Sequence, residues 1–189
     1  MVQMKADLYK LELARYRFRE KRNRRRFLLG LLIWCSCAWI LLHRMYGFSA
    51  INGNSMRPAF YNRDFVIYRR GVPDQIEYGD VLIFKSWQDH EMAYVKRVVA
   101  LPGDVVKVDD KGYLIRDGEE VREAEILYGP QRTDSHIHFP YRVPEDEYFC
   151  MGDNRPVSID SRIHGGVKEE QIFGKVVAVV RVGTFENSK

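Results

Sequence analysis

The chain has 189 residues and a formal net charge of +4, with 46% hydrophobic and 30% charged residues. Its length suffices for one membrane segment and one modest soluble domain, and its composition is ordinary for a globular protein. Two of its three cysteines lie inside an apolar run, so a disulfide framework is excluded. A zinc site is disfavoured as well, because the chain has no Cys-x-x-Cys pair and no compact Cys/His set.

Positive charge is concentrated at the start of the chain. Residues 1–26 carry ten Lys or Arg against three acidic residues, whereas the charges beyond the apolar run nearly cancel. Such an asymmetry is typical of a nucleic-acid arm or of the cytoplasmic flank of a membrane helix. The second interpretation is favoured because the basic cluster directly precedes Phe27, as the positive-inside rule expects. We therefore predict a cytoplasmic basic segment over residues 1–26 and no nucleic-acid partner.

The apolar run predicts a membrane anchor. Residues 27–42 are nearly all apolar, which is short for a bilayer span of about 20 residues. A helix that continues to Phe48 fits if Arg44 extends its charge to the far interface. A cleavable signal peptide is disfavoured because Phe48 is large where cleavage needs a small residue. We expect a retained transmembrane anchor at 27–48 and an extracytoplasmic peptidase domain at 49–189.

A candidate nucleophile follows the anchor, in Asn54-Ser55-Met56-Arg57-Pro58. Gly53 permits a tight backbone turn, and Pro58 restricts the exit from that turn. A serine on such a turn can project its hydroxyl, and its own backbone N–H can face an oxyanion. By itself, however, the same composition is typical of an ordinary turn.

A lysine lies inside an apolar strand predicted from Met92 to Val99. Burial would lower the pKa of Lys96 from about 10.4 towards neutrality. The neutral amine could then take a proton from a serine hydroxyl without any histidine. Strand alternation places Lys96 on one face and Arg97 on the other. Each face therefore carries one charge, and the periodicity leaves open which of them points inward.

Short β-like runs separated by turns fill much of the remaining chain. Asp64–Tyr68, Tyr78–Phe84 and Val105–Val108 are typical of strands. Asp117-Gly118 predicts a hairpin turn, and Val176–Val180 is predicted to close the domain as a buried strand. The pattern is a β-meander without helical crossovers.

Asp134, His136 and His138 suggest a metal site, since alternate spacing would put both histidines on one strand face. No further convincing ligand accompanies them, so a surface strand is favoured. We expect neither a metal nor a cofactor.

A third polar stretch runs from Gly152 to Arg162 and is dense in hydrogen-bonding side chains. Ser158 could exchange a hydrogen bond with a lysine amine. Asp160 and Arg162 could pair and hold the segment in one geometry, which is a documented use of buried ion pairs. An ordinary polar loop is the alternative interpretation.

Together the three stretches resemble the bacterial type I signal peptidases. The matching motifs are Ser-Met-x-Pro at 55–58, Tyr-Val-Lys-Arg-Val-x-x-Leu-Pro-Gly-Asp at 94–104 and Gly-Asp-Asn-Arg-x-x-Ser-x-Asp-Ser-Arg at 152–162. The resemblance covers about residues 27–182. It implies a mainly β fold, with a single N-terminal transmembrane helix followed by a β-rich domain of coiled antiparallel sheets.

The resemblance also implies a site. Ser55 would be the nucleophile, Lys96 the general base and Ser158 the residue that orients Lys96. The supporting positions would be Gly53, Met56, Asp153, Asp160 and Arg162. Some members carry a hydroxyl donor where this chain has Gly53, and most carry Thr or Ser where it has Ala59, so the oxyanion is expected to meet the Ser55 backbone N–H.

The implied activity is that of a membrane-bound serine endopeptidase. It would remove signal peptides from exported preproteins after small residues in an Ala-x-Ala pattern, close to the secretion translocon. Membrane lipid would be a second partner, contacted by Phe48, Ile51 and Phe60. Three alternatives stay open: a dedicated Ser/Lys peptidase for a pilin or conjugation protein, a catalytically inactive membrane-anchored interaction module and, less favoured, a soluble self-cleaving repressor.

Overall fold

A computed structural model describes residues 2–87, 92–121, 126–129 and 135–181, and the side chains of these residues except 2–14 and 16. The chain divides into two compact units, Met1–Met45 and Tyr46–Lys189. Its elements, in chain order, are α1 Val2–Met45, β1 Tyr46–Ala50, β2 Phe65–Arg70, β3 Val81–Lys85, β4 Ala93–Ala100, β5 Val105–Val108, β6 Leu114–Arg116, β7 Glu119–Glu120, β8 Tyr141–Arg142, β9 Glu147–Met151, α2 Ser161–His164, β10 Val167–Lys168, a 3-10 turn at Glu169–Gln171 and β11 Ile172–Val180.

The first unit is the single helix α1. Its stretch Arg17–Met45 is long and apolar enough to cross a membrane. The helix ends at Met45, three residues before the predicted end at Phe48, because Tyr46–Phe48 pair with β2 instead. Gly47 allows that pairing, since a Cβ at this position would collide with the Tyr68 ring.

The second unit is built from two antiparallel sheets. The large sheet has the strand order β1-β2-β11-β3-β4-β9-β10, and the small sheet has the order β7-β6-β5-β8. Every strand pair among the described residues is antiparallel. The predicted hairpin is present between β6 and β7, where Asp117 and Gly118 both have positive φ angles, of 52° and 90°. The predicted mainly β fold behind an N-terminal helix is thereby confirmed.

Three clusters of buried apolar side chains hold the sheets together. One lies where β4 and β9 meet the small sheet and includes Val143 and Phe149. A second packs Phe84 and Cys150 against the segment that follows α2. The third surrounds the turn after β1, and its members are Ile51, Met56, Phe60, Val66, Val81 and Ile83.

Two predictions about burial are wrong. Val176–Val180 do lie in a strand, but Val177, Val179 and Val180 are exposed rather than buried. Conversely, Ile51 and Phe60 belong to the third core cluster and are not available to lipid. Alternation of apolar residues identified the strands, but it could not show which faces another layer would cover.

The register of β1, β2 and β11 brings several exposed apolar side chains together on one face of the large sheet. Pairing of β1 with β2 and of β2 with β11 aligns Phe48 with Ile67, Ala50 with Phe65, and Phe65 with Val180. Directly paired residues share a face of the sheet, and Phe48, Phe65 and Val180 are 73%, 45% and 50% exposed. We call this surface the apolar face; its residues are Phe48, Ala50, Phe65, Ile67, Ala178 and Val180.

Candidate active site

The turn that carries Ser55 is anchored on both sides. Gly53 has a φ of 106°, which favours glycine, and its N–H donates to Asn62 Oδ1 at 3.0 Å. On the other side, Met56 is buried in the third core cluster, and its carbonyl accepts the N–H of Phe60 at 2.9 Å. Ser55 therefore sits at a defined position at the edge of the core.

Lys96 faces this turn. Its side chain is 2% exposed, and Nζ donates to Ser55 Oγ at 2.8 Å. Lys96 rather than Arg97 therefore points inward from β4, which the alternation in the sequence left open. Nζ also lies 5.1 Å from the centroid of the Tyr94 ring, which is on the same face of β4. The geometry places an amine and a hydroxyl in direct contact, as nucleophilic catalysis by serine requires.

The surroundings of Lys96 make it a usable base. Burial lowers its pKa from 10.5 to about 8, although the negative charge of Asp160 acts in the opposite direction. A neutral fraction is therefore present close to neutral pH. The neighbouring Cys150 is fully buried, and burial raises the pKa of its thiol, so Cys150 stays protonated.

The stretch after β9 forms a buried polar support. Asp160 accepts hydrogen bonds from Arg162 Nε at 2.8 Å and Nη2 at 2.9 Å. It also accepts the N–H of Gly152 at 3.0 Å. Burial by itself would raise the pKa of Asp160, but the bonds and charge of Arg162 and the Gly152 N–H hold it below its usual value. Arg162 Nη2 in addition donates to the carbonyl of Arg155 at 2.8 Å, which closes the loop on itself.

This support touches the serine turn directly. The N–H of Asn154 donates to the Ser55 carbonyl at 3.0 Å, and Asn154 Nδ2 donates to the Asn54 carbonyl at 3.1 Å. Gly152 lies so close that a Cβ there would meet both the Ser55 carbonyl and the Ser158 side chain. The position of Ser55 is therefore set by the stretch that begins at Gly152.

Asp153 ties the same support to β4. Arg97 Nε donates to Asp153 Oδ1 at 2.9 Å, and Arg97 Nη2 donates to Oδ2 at 2.6 Å. Arg97 Nη1 donates to the Gly79 carbonyl at 2.9 Å. Because Arg97 directly follows Lys96 in β4, this ion pair holds Lys96 and the support in one register.

Ser158 is brought to the site, but its predicted contact with Lys96 is not made. Its side chain is fully buried, and among the described residues its hydroxyl meets no partner with hydrogen-bond geometry. The hydroxyl nevertheless lies close enough to Asp160 to favour the charged carboxylate, which helps to lower the pKa of Asp160. The predicted orienting role of Ser158 therefore stays a prediction.

The backbone N–H of Ser55 is the predicted donor for an oxyanion. Within the described part of the chain, the Ser55 N–H takes part in no hydrogen bond. Gly53 offers no side chain and its N–H is used by Asn62, while Ala59 has no hydroxyl. The Ser55 N–H remains the donor to expect for a developing negative charge.

Sequence reasoning missed four contributors to this geometry. They are Arg97, Asn154, Arg155 and Ser161, whose Oγ accepts the N–H of Cys150 at 2.9 Å. All four lie inside the matched motifs, so the signal was present. The partners of Arg97 and Asn154 are distant in sequence. Those of Arg155 and Ser161 are local, but only the folded backbone brings them to hydrogen-bond distance.

The histidine stretch does not join the site. His136 and His138 are exposed, as predicted, but neither lies in a strand, and Asp134 is outside the described residues. Across the described ranges, no group of three or more His, Cys, Asp or Glu side chains is placed to hold a metal ion.

Comparison with known proteins agrees with the geometry. Residues 24–181 match the family model of signal peptidase, peptidase S26. Signal peptidase I S of Bacillus subtilis is 34% identical over 135 residues, which cover 66% of this chain and 71% of that protein. The probable signal peptidase I-1 of Synechocystis is 33% identical over 135 residues, or 66% of this chain and 65% of that protein.

A solved structure is also similar. The crystal structure of a signal peptidase I from Enterococcus faecalis aligns with a TM-score of 0.45 and 27% identity, over 55% of this chain and 98% of that chain.

The family model spans most of the chain, including the serine turn, the lysine strand and the support. The chain therefore belongs to the signal peptidase family, peptidase S26.

Proposed function

We propose that this family member cleaves N-terminal signal peptides from exported preproteins, with Ser55 as nucleophile and Lys96 as general base. The observation that carries the assignment of roles is the 2.8 Å contact between Lys96 Nζ and Ser55 Oγ. It is made by a lysine that is 2% exposed. A buried amine with a lowered pKa is suited to accept a proton from serine.

The reaction is an acyl transfer in two halves. Neutral Lys96 takes the hydroxyl proton while Ser55 Oγ attacks the scissile carbonyl carbon, and the resulting oxyanion is met by the Ser55 N–H. When the C–N bond breaks, the Lys96 ammonium gives its proton to the leaving amine. A water molecule then attacks the ester, Lys96 accepts its proton and returns one to Ser55 Oγ, and the freed acid departs.

Membrane placement follows from α1. Arg17–Met45 is long and apolar enough to span a bilayer, and its basic end carries Arg22, Arg24, Arg25 and Arg26. By the positive-inside rule, that end is cytoplasmic and the unit from Tyr46 onwards is extracytoplasmic. Preproteins emerge there from the secretion translocon, so the enzyme works in its vicinity and cleaves after an Ala-x-Ala pattern.

Membrane lipid is the second partner. The apolar face combines exposed aromatic and aliphatic side chains on β1, β2 and β11. β1 follows α1 in the sequence without a linker. A contiguous exposed apolar surface favours contact with lipid. The sequence predicted lipid contact by Phe48, Ile51 and Phe60, and only Phe48 belongs to the apolar face.

The test is cleavage of a detergent-solubilised precursor with an Ala-x-Ala site by the wild-type chain, Ser55→Ala and Lys96→Met. We expect cleavage at that site by the wild type only. Normal cleavage by Lys96→Met would overturn the proposed base. A wild type that labels with a serine-directed acylating probe but cleaves only a pilin or conjugation precursor would indicate the dedicated peptidase. Absence of both labelling and cleavage would indicate the inactive module.

A further inference from the structure

The Lys96 amine is shielded on one side by a residue that is itself only half-buried. Nζ lies 5.1 Å from the Tyr94 ring centroid, and Tyr94 retains partial exposure. A ring in that situation needs neighbours to hold it in place, since a side chain that is free to rotate would admit water to the amine. The contacts of Tyr94 therefore bear on the base.

Two aromatic side chains supply that support. Phe84 lies directly opposite Tyr94 on β3, with ring centroids 6.3 Å apart in an edge arrangement. Trp87, just after β3, lies 5.7 Å from the Tyr94 ring and 5.1 Å from the Phe84 ring. Each such aromatic pair contributes stability beyond the burial of its two rings. Trp87 thus completes a three-ring cluster beside the base.

Trp87 is itself held from the opposite side. Its indole stacks on His164, with centroids 5.1 Å apart and planes 26° apart. Its Nε1 donates to the Gly166 carbonyl at 3.4 Å. Both partners come shortly after the buried pair of Asp160 and Arg162 in the sequence. Trp87 therefore bridges the aromatic wall of the base and the polar support behind it.

We propose that Trp87 is a positioning residue for the base, whose indole holds the Tyr94 ring against the Lys96 amine and excludes water from that side. The inference rests on the proposed role of Lys96. It goes beyond that role because it assigns the exclusion of water from the Lys96 amine to a residue outside all three sequence motifs. Trp87 does not touch the reacting atoms and acts through Tyr94.

The experiment compares the full-length wild type, Trp87→Leu and Trp87→Phe in detergent, with kcat/KM measured against pH. Loss of the indole admits water and weakens the desolvation that lowers the Lys96 pKa. We expect the acid limb of the Trp87→Leu profile to move to higher pH by about half a unit or more. Trp87→Phe keeps a ring against Tyr94 and loses only the bond to Gly166, so its limb stays at the wild-type position.

The matched control is Val143→Ala, a cavity in the core cluster beneath the small sheet. It lowers the melting temperature without moving the acid limb, which separates loss of stability from loss of positioning. An unmoved limb in folded Trp87→Leu overturns the proposal. If that variant does not fold, Trp87→Met, which fills more of the space without a ring, takes its place. If neither folds, a displaced acid limb in Trp87→Phe overturns the proposal and an unmoved one supports it.

The two hypotheses fail differently. If Lys96→Met cleaves normally, the base assignment is wrong and the role of Trp87 falls with it. If Lys96→Met is inactive and the limb of Trp87→Leu is unmoved, the base assignment stands and only the positioning role is lost.

Discussion

The backbone N–H of Asn154 donates to the carbonyl oxygen of Ser55 over 3.0 Å. This bond joins the turn after β1 to the turn after β9, and the close approach requires glycine at position 152. Ser55, the proposed nucleophile, is therefore positioned by backbone atoms from a distant part of the chain. Any side chain that separates the two turns displaces Ser55 from Lys96.

Gly152→Ala tests this relationship. The added methyl group collides with the Ser158 side chain and the Ser55 carbonyl, so Ser55 must shift. Misplacement of a reacting group by about 1 Å costs about 100-fold in rate, and we expect a loss of that order in kcat/KM. Gly30→Ala is the control, because nothing lies within 4 Å of a Cβ there. Full activity in Gly152→Ala would show that the turns tolerate separation.

We expect activity to depend on pH through Lys96, the proposed general base. Only the neutral amine accepts the Ser55 proton, and the pKa of Lys96 is lowered to about 8 by burial. We expect kcat/KM to rise about tenfold per pH unit below pH 8 and to level off above it. Steady-state cleavage of a signal-peptide substrate between pH 6 and 10 measures the limb. If the rise in kcat/KM were instead centred near the ordinary lysine pKa, the Lys96 amine would be hydrated during catalysis.

Lys96→Met should abolish activity and at the same time raise the stability of the protein. In the folded state the Lys96 pKa is about 8 instead of 10.5, so between these values the unfolded chain binds more protons than the native one. The free energy of unfolding of the wild type therefore rises between pH 8 and pH 10.5. Below pH 8 it is lowered by the full cost of burying the charged Lys96 amine. At about 1.4 kcal/mol per pH unit between these two pKa values, removing the amine should stabilise the protein by about 3 kcal/mol at pH 7.

Chemical unfolding of both proteins at pH 7 and above pH 10 checks this stability difference. The difference between Lys96→Met and wild type should shrink at the higher pH, because the wild-type penalty is lost there. An equal difference at both pH values would contradict the depressed pKa.

Asp160→Asn should destabilise the peptidase unit. Asp160 and Arg162 are both buried, at 2.8 Å, and removal of one charge leaves the other uncompensated. Such losses amount to about 3–5 kcal/mol. The control is Asp74→Asn in the exposed pair with Arg69, at 3.5 Å, where we expect little change. Comparable melting temperatures for the two variants would mean that the buried pair is not required for stability.

The apolar face predicts lipid binding by the fragment that begins at Tyr46. Phe48→Ser and Val180→Ser should weaken its association with liposomes in a flotation assay, since each removes exposed apolar surface from the patch. Leu127→Ser is the matched control, because Leu127 is 45% exposed but lies outside the apolar face. Equal losses in all three variants would argue against a defined lipid-contact surface.

Local pattern was enough for several features of this protein. Alternating apolar residues and turn dipeptides identified the β-rich unit, and the Asp117-Gly118 turn was located correctly because two positive φ angles suit these residues. The apolar run after Arg26 identified the long first helix. Three linear motifs brought Ser55 and Lys96 into consideration because each motif is short enough to be recognised in the sequence itself.

Only the tertiary structure decided which faces are covered. The inward direction of Lys96 depends on the turn of Ser55 and on neighbouring strands, since one charge lay on each face of β4. The exposure of Val180 and the burial of Ile51 and Phe60 likewise depend on which layer packs where. Burial is a property of contacts between segments distant in sequence, and those contacts give Lys96 its lowered pKa and Ser55 its position.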